Sequence, residues 1–158
     1  MDNSVTIIGI VLAIITILPL YFSYRSNSLN KARIKAIKEK HSQNGKFDFD
    51  LTESQNKKIL TIDKKNKGFI SMNFNKGKEE SSFIDLNLVK SCRLVPTTDA
   101  SSDTTIKVDF EFQDKATGQK NVIPFYNIED DQINQVCLHE DQQLGKKWVQ
   151  IIQDCISV

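Results

Sequence analysis

The sequence predicts a small, mainly β domain of six or seven antiparallel strands, followed by a C-terminal amphipathic helix and preceded by one membrane-spanning helix. Three observations predict this. Thr104–Gln113 (TTIKVDFEFQ) alternates apolar and polar side chains, the period of a half-buried antiparallel strand. From Leu144 onward the apolar positions recur at helical spacing instead. Val5–Phe22 holds no charged residue, and as a helix it reaches about the 30 Å of a bilayer core.

Whole-chain figures conceal this division. The 158 residues, 26% charged and 39% hydrophobic with net charge +1, describe an ordinary globular chain and exclude collagen-like and disordered ones. Three cysteines are too few and of the wrong parity for a disulfide framework. By position, residues 1–46 carry seven Lys/Arg against two Asp/Glu, +5, and residues 47–158 carry fourteen against eighteen, −4.

In the first segment, residues 1–24, twelve of the eighteen positions Val5–Phe22 are Val, Ile, Leu or Phe. They contribute roughly −4 to −7 kcal/mol toward insertion. Pro19 falls near the end, where a kink is tolerated. Tyr21, Phe22 and Tyr24 stand at an aromatic-belt position. A cleaved signal peptide needs a basic start and a small-residue cleavage site, but the chain opens Asp2-Asn3-Ser4 and no such site follows. A buried soluble helix would show a polar face, and none is present.

Residues 25–46 form a basic juxtamembrane linker with helix-forming composition. Arg25, Lys31, Arg33, Lys35, Lys38 and Lys40 face one acid, Glu39. This asymmetry places the C-terminal domain on the cytoplasmic side of the cell membrane and the N-terminus outside. Reduced thiols at Cys92, Cys137 and Cys155 agree with that side. Arg25, Lys31 and Arg33 are candidate contacts for anionic lipid headgroups. Lys40 would stand about 22 Å beyond Arg25 in a continuous helix, more than two Debye lengths away.

The remaining residues, 47–158, are enough for one small core. Their net negative charge argues against nucleic-acid binding. Lys58–Asp63 and Gly68–Phe74 flank Lys64-Lys65-Asn66-Lys67 and read as a hairpin. Asn75–Lys78 is the next turn, Phe83–Leu86 and Leu88–Val95 are further strands, and Phe47–Leu51 is a short one. After Thr104–Gln113 comes a turn at Asp114–Gly118. The strand that follows, roughly Gln119–Tyr126, has Pro124 marking an edge or a bulge. Finally Leu144, Trp148, Ile151, Ile152 and Cys155, with Val149 and Ile156, fill one arc of a helix of about sixteen residues. It starts near Glu140 or Asp141, and Trp148 is read as a core anchor.

This order resembles the pleckstrin-homology-like (PH-like) superfold, carried by KILTIDKKNKGFISMNF, FIDLNLVKSCRLV, TTIKVDFEF and LGKKWVQIIQDC. The resemblance implies a half-open barrel or sandwich closed by the C-terminal helix; the rival is an α+β layer. It also implies a binding module. Some such domains hold phosphoinositide headgroups with basic residues between the first two strands, and Lys64, Lys65 and Lys67 are the matching candidates. The strand that follows them, GFISMNF, has no basic residue, so solvated turn lysines are the simpler reading.

No nucleotide-binding, metalloprotease, calcium-loop or zinc pattern is present. The acids Glu129-Asp130-Asp131 read as a solvated loop. No catalytic residue, metal site or cofactor is therefore expected. The expected function is a non-enzymatic, single-pass, membrane-anchored interaction domain, with the bilayer contacted through Val5–Phe22 and a protein partner not readable from the residues. The alternatives are an accessory subunit of a membrane-bound enzyme complex and an anionic-lipid-binding module.

Overall fold

The computed structural model describes residues 30–74, 79–131 and 135–157, together with Ile15 and Ile17. The chain divides into two compact units, Met1–Lys40 and His41–Val158. In the first, the backbone from residue 30 is helical, and Lys35 and Glu39 face each other at 3.8 Å one turn apart. We call the helix over residues 30–41 α1.

The second unit is mainly β. Its strands are β1 (Leu51–Gln55), β2 (Lys58–Asp63), β3 (Gly68–Asn73), β4 (Glu80–Asp85), β5 (Val89–Thr98), β6 (Thr105–Asp114) and β7 (Lys120–Asn127). They form two antiparallel sheets, ordered β1-β2-β3-β4 and β5-β6-β7. Helix α2 (Leu138–Ser157) follows.

The expected fold class needs correction in two respects. No barrel forms: no strand of one sheet pairs with a strand of the other among the described residues. The reason lies at the junction. After β4 the chain enters a 3-10 turn, Leu86–Leu88, capped by the Asp85 side chain, which accepts from the Asn87 N–H. The Leu86 N–H is drawn to the Lys67 carbonyl at 2.7 Å, so the chain leaves the first sheet before β5 begins. The membrane-spanning helix is also withdrawn. Among the described residues no helix is long and apolar enough to cross a membrane; apart from Ile15 and Ile17, the expected span Val5–Phe22 lies outside them. The Asn75–Lys78 turn lies outside them too.

Other expectations match. The β2–β3 hairpin pairs Asp63 with Gly68 and Lys58 with Asn73. In β6, Val108, Phe110 and Phe112 are buried while Lys107 is exposed. Pro124 lies on the edge strand β7, beside an irregularity where Val108 faces Tyr126 and Asp109 faces Pro124. The skipped residue, Phe125, turns inward with Tyr126, and both are buried.

The core lies between the sheets and under α2. Leu60, Ile62, Phe69 and Ile84 come from the first sheet, Cys92, Phe110, Phe112, Ile123 and Phe125 from the second, and Leu144, Trp148 and Ile152 from the helix. Trp148 is fully buried, with its ring 5.9 Å from that of Phe69. Gly145 is buried because α2 comes close there: a Cβ would meet Leu94 methyls at 3.0 Å and the Phe125 ring at 3.2 Å. The helix-propensity cost of this glycine is offset by that approach.

The first sheet is buried on its other face as well. Ile59, Thr61, Ile70 and Met72 are all covered. Phe83 stacks with His41 at 5.8 Å and meets Phe47 edge-on at 5.0 Å. Phe47 lies on Gly68, where a Cβ would fall 2.5 Å from its ring.

Candidate functional site

Helix α2 joins the two sheet edges that strand pairing leaves apart. Toward β1, Glu53 accepts from Lys147 Nζ at 2.9 Å and from Trp148 Nε1 at 2.9 Å. The bond from Lys147 comes first in holding the Glu53 carboxyl below its usual range, partly against burial. Toward β5, Gln153 Nε2 donates to the Cys92 carbonyl at 2.9 Å. The helix therefore orients both ends of the domain, and those ends differ in chemistry.

At the N-terminal end of α2, Lys58 and Asp141 form a buried ion pair. Nζ lies 2.6 Å from Oδ2, with the side chains 7% and 0% exposed. Asn56 Nδ2 donates to the other Asp141 oxygen at 3.0 Å. The Lys58 ammonium also stands over the rings of Phe125 and Tyr126 at 5.8 and 5.7 Å. Asn56 and Lys57 both have positive φ, 48° and 62°, forming the two-residue connection of the β1–β2 hairpin. That tight turn places the Asn56 amide beside the helix.

Next to this pair, the Tyr126 hydroxyl and the Cys137 N–H both donate to Asp131 Oδ2, at 3.3 and 2.9 Å. Burial first, then Asp131, pushes the Tyr126 phenol up to about 12. Burial and then the Asp131 and Asp141 charges raise the Cys137 thiol too. Asp131 is thus a structural acceptor as well as part of the expected solvated loop. A shallow cleft of about 480 Å³ lies outside the buried pair, lined by residues including Glu53, His139, Glu140 and Lys147.

At the C-terminal end of α2 the loop that carries the three candidate lysines meets the helix. Lys64 and Lys65 are exposed and Lys67 is half-buried, with φ 59°. The loop is held by Asp63, which accepts from the N–H of Asn66 at 2.9 Å, its side-chain amide at 2.7 Å and the Asp48 N–H at 2.6 Å. Burial raises the Asp63 carboxyl, but these donors outweigh it and leave it below the usual range. The Cys155 thiol lies 3.7 Å from the Lys64 carbonyl. Burial raises this thiol, and the Lys67 and Lys64 charges partly offset that.

α2 has no basic residue in its own last turn. Lys64 and Lys67 supply the positive charge that a helix C-terminus favours. Their position differs from the one implied by the PH-like resemblance: β1 precedes, so they connect the second and third strands, not the first and second. Of the linker candidates, Lys31 and Arg33 are exposed on α1, and Arg25 lies outside the described residues.

Cys92, Cys137 and Cys155 are free thiols, and burial pushes Cys92 up to about 12. Among the described residues no group of three or more His, Cys, Asp or Glu side chains could hold a metal ion. Every buried side-chain nitrogen or oxygen among them has a hydrogen-bond partner. Sequence reading missed the Lys58–Asp141 pair, since 83 residues separate its members; the only hint was an aspartate on the apolar arc of α2.

Compared with known proteins, the chain matches no family model, no curated protein and no solved structure.

Proposed function

We propose that the unit His41–Val158 is a non-enzymatic interaction domain. The observation that carries this reading is how its reactive groups are used. Lys58 and Asp141 are consumed by each other in the interior. Burial raises the Tyr126 phenol and all three thiols, which favours their neutral forms. A nucleophile or general base needs the opposite adjustment. Exposed charges stand on the loops at the two ends of α2, where binding residues usually sit, as well as on the outer face of the second sheet.

Seven antiparallel strands in two unclosed sheets followed by one helix do not by themselves assign a partner. The free thiols support a reducing compartment.

Cross-linking of the full chain in a native extract, followed by identification of the captured proteins, tests this. One partner is expected, lost when exposed charges at one end of α2 are reversed while the thermal midpoint stays unchanged. Capture of no partner, or capture indifferent to every such reversal, would sink the proposal. An enzyme complex whose activity falls when the chain is removed would favour the accessory-subunit reading.

A further inference from the structure

One end of the strand domain carries lysines that form no ion pair among the described residues. Three loops and the last turn of α2 are stitched together there. Leu86 N–H donates to the Lys67 carbonyl at 2.7 Å, and the Asn87 amide to the Asn66 carbonyl at 3.1 Å. The Lys115 N–H donates to the Leu88 carbonyl at 2.8 Å, and its ammonium to the Asn87 carbonyl at 3.0 Å. Lys90 and Lys115 line one cleft with Gln153 and Ile156 of α2. Lys64, Lys65, Lys67, Lys90 and Lys115 are thereby gathered at one end.

Among the described residues none of these five is in an ion pair, whereas Lys46, Lys58, Arg93, Lys120 and Lys147 are. Of the acids at this end, Asp48 and Asp154 are exposed and three more are engaged by other groups. Asp63 is buried under N–H donors, Asp85 faces Lys46 at 3.6 Å, and Asp114 accepts from the N–H groups of Ala116 and Thr117. Leu88 stands among the lysines, 61% exposed, at the end of the 3-10 turn.

We propose that this end docks on an anionic lipid surface, the lysines against headgroup phosphates and carboxylates and Leu88 entering the acyl boundary. The proposal rests on the interaction-domain reading and names the partner of that end. Residues 47–158 carry a net −4, so as a point charge they would be repelled by such a surface. The acids Glu129, Asp130 and Glu140 lie at the other end of α2, whose 20 residues span about 30 Å. That is more than three Debye lengths at physiological salt, so the surface meets the lysines and is screened from the acids of the far end. Exposed lysines on loops around one exposed leucine suit a flat bilayer; an extended peptide would need a walled groove with paired backbone edges.

The test uses the full chain with Leu88→Cys bearing an environment-sensitive fluorophore, in a Cys137→Ser background because Cys92 and Cys155 are buried. A second variant carries the label at Ser101→Cys, on the loop between β5 and β6. Phosphatidylcholine vesicles with and without phosphatidylserine are added. The label at 88 is expected to shift to the blue only with phosphatidylserine, while the label at 101 stays unshifted. Each of Lys64→Gln, Lys65→Gln and Lys90→Gln should weaken the response about fivefold, with cooperative thermal unfolding retained.

No shift at 88, or an equal shift at 101, overturns the proposal. So does the same shift produced by a soluble glutamate-rich peptide, which would reassign this end to an acidic protein segment. Because the vesicles contain no protein, failure here with partner capture intact removes the lipid contact and leaves the interaction-domain reading. A retained shift without capture does the reverse.

Discussion

The two ends of α2 treat charge in opposite ways. At its N-terminus a lysine and an aspartate are taken out of water and spent on each other, with Asn56 filling the remaining acceptor. At its C-terminus the buried charge is Asp63 alone, satisfied by amide donors, while the lysines beside it stay in solvent. The difference separates charge that holds the fold from charge left available. A carboxylate saturated by N–H groups needs no cation to stay buried, so the neighbouring lysines remain without an ion pair among the described residues.

Breaking the buried pair gives the largest expected effect. Lys58→Ala strands Asp141 in the interior and should cost about 3–5 kcal/mol in urea unfolding. Replacing both partners, Lys58→Met with Asp141→Leu, should recover most of that. If the double variant is as unstable as the single one, the pair contributes more than mutual neutralisation.

Gly68→Ala comes next, at the lysine end. Its Cβ would fall 2.5 Å from the Phe47 ring, and displacing that buried ring should cost about 1–3 kcal/mol. A neutral result would show that Phe47 can leave its seat without loss.

Asp63→Asn removes charged hydrogen bonds and should cost about 1.5 kcal/mol at neutral pH. Because the folded-state pKa lies below the unfolded value, the stability Asp63 supplies is fully present above about pH 4. It is lost as pH falls through the lower folded pKa. Wild type and variant should therefore converge in acid, read by denaturant midpoints against pH, and parallel curves would contradict the assignment.

The smallest effect is expected from Lys64→Gln with Lys67→Gln. Losing their interaction with the helix terminus should lower stability by a few tenths of a kcal/mol, less at high salt. A larger loss would mean that these lysines hold the fold, and the contrast between the two ends would fail.

Elements with a single exposed face were legible in the sequence. β6 alternates because one side meets water, and α2 has a polar arc for the same reason, so Trp148 could be assigned to the core from spacing alone. β2 and β3 are covered on both sides, and their pairing was readable mainly from the polar loop between them. β1 was misplaced. Phe47–Leu51 carries the apolar residues, yet Phe47 and Phe49 cover the outer face of the sheet while LTESQ makes the strand. Its turn escaped notice because Lys57 adopts a backbone conformation that glycine usually supplies. The lysine end was half visible: Lys64, Lys65 and Lys67 lie in one run, but Lys90 and Lys115 join them only through tertiary hydrogen bonds. The buried pair was invisible, since no local period links positions 58 and 141.

The bridging of two sheet edges by α2 bears on how the chain is made. Both sheets can pair their own strands before α2 docks, but Phe69, Phe110 and Phe112 then lack the helix that covers them. The nascent chain would carry an apolar face until Trp148 and Ile152 emerge. A released chain cut between β7 and α2 should therefore be a sticky product that chaperones bind more than the full chain.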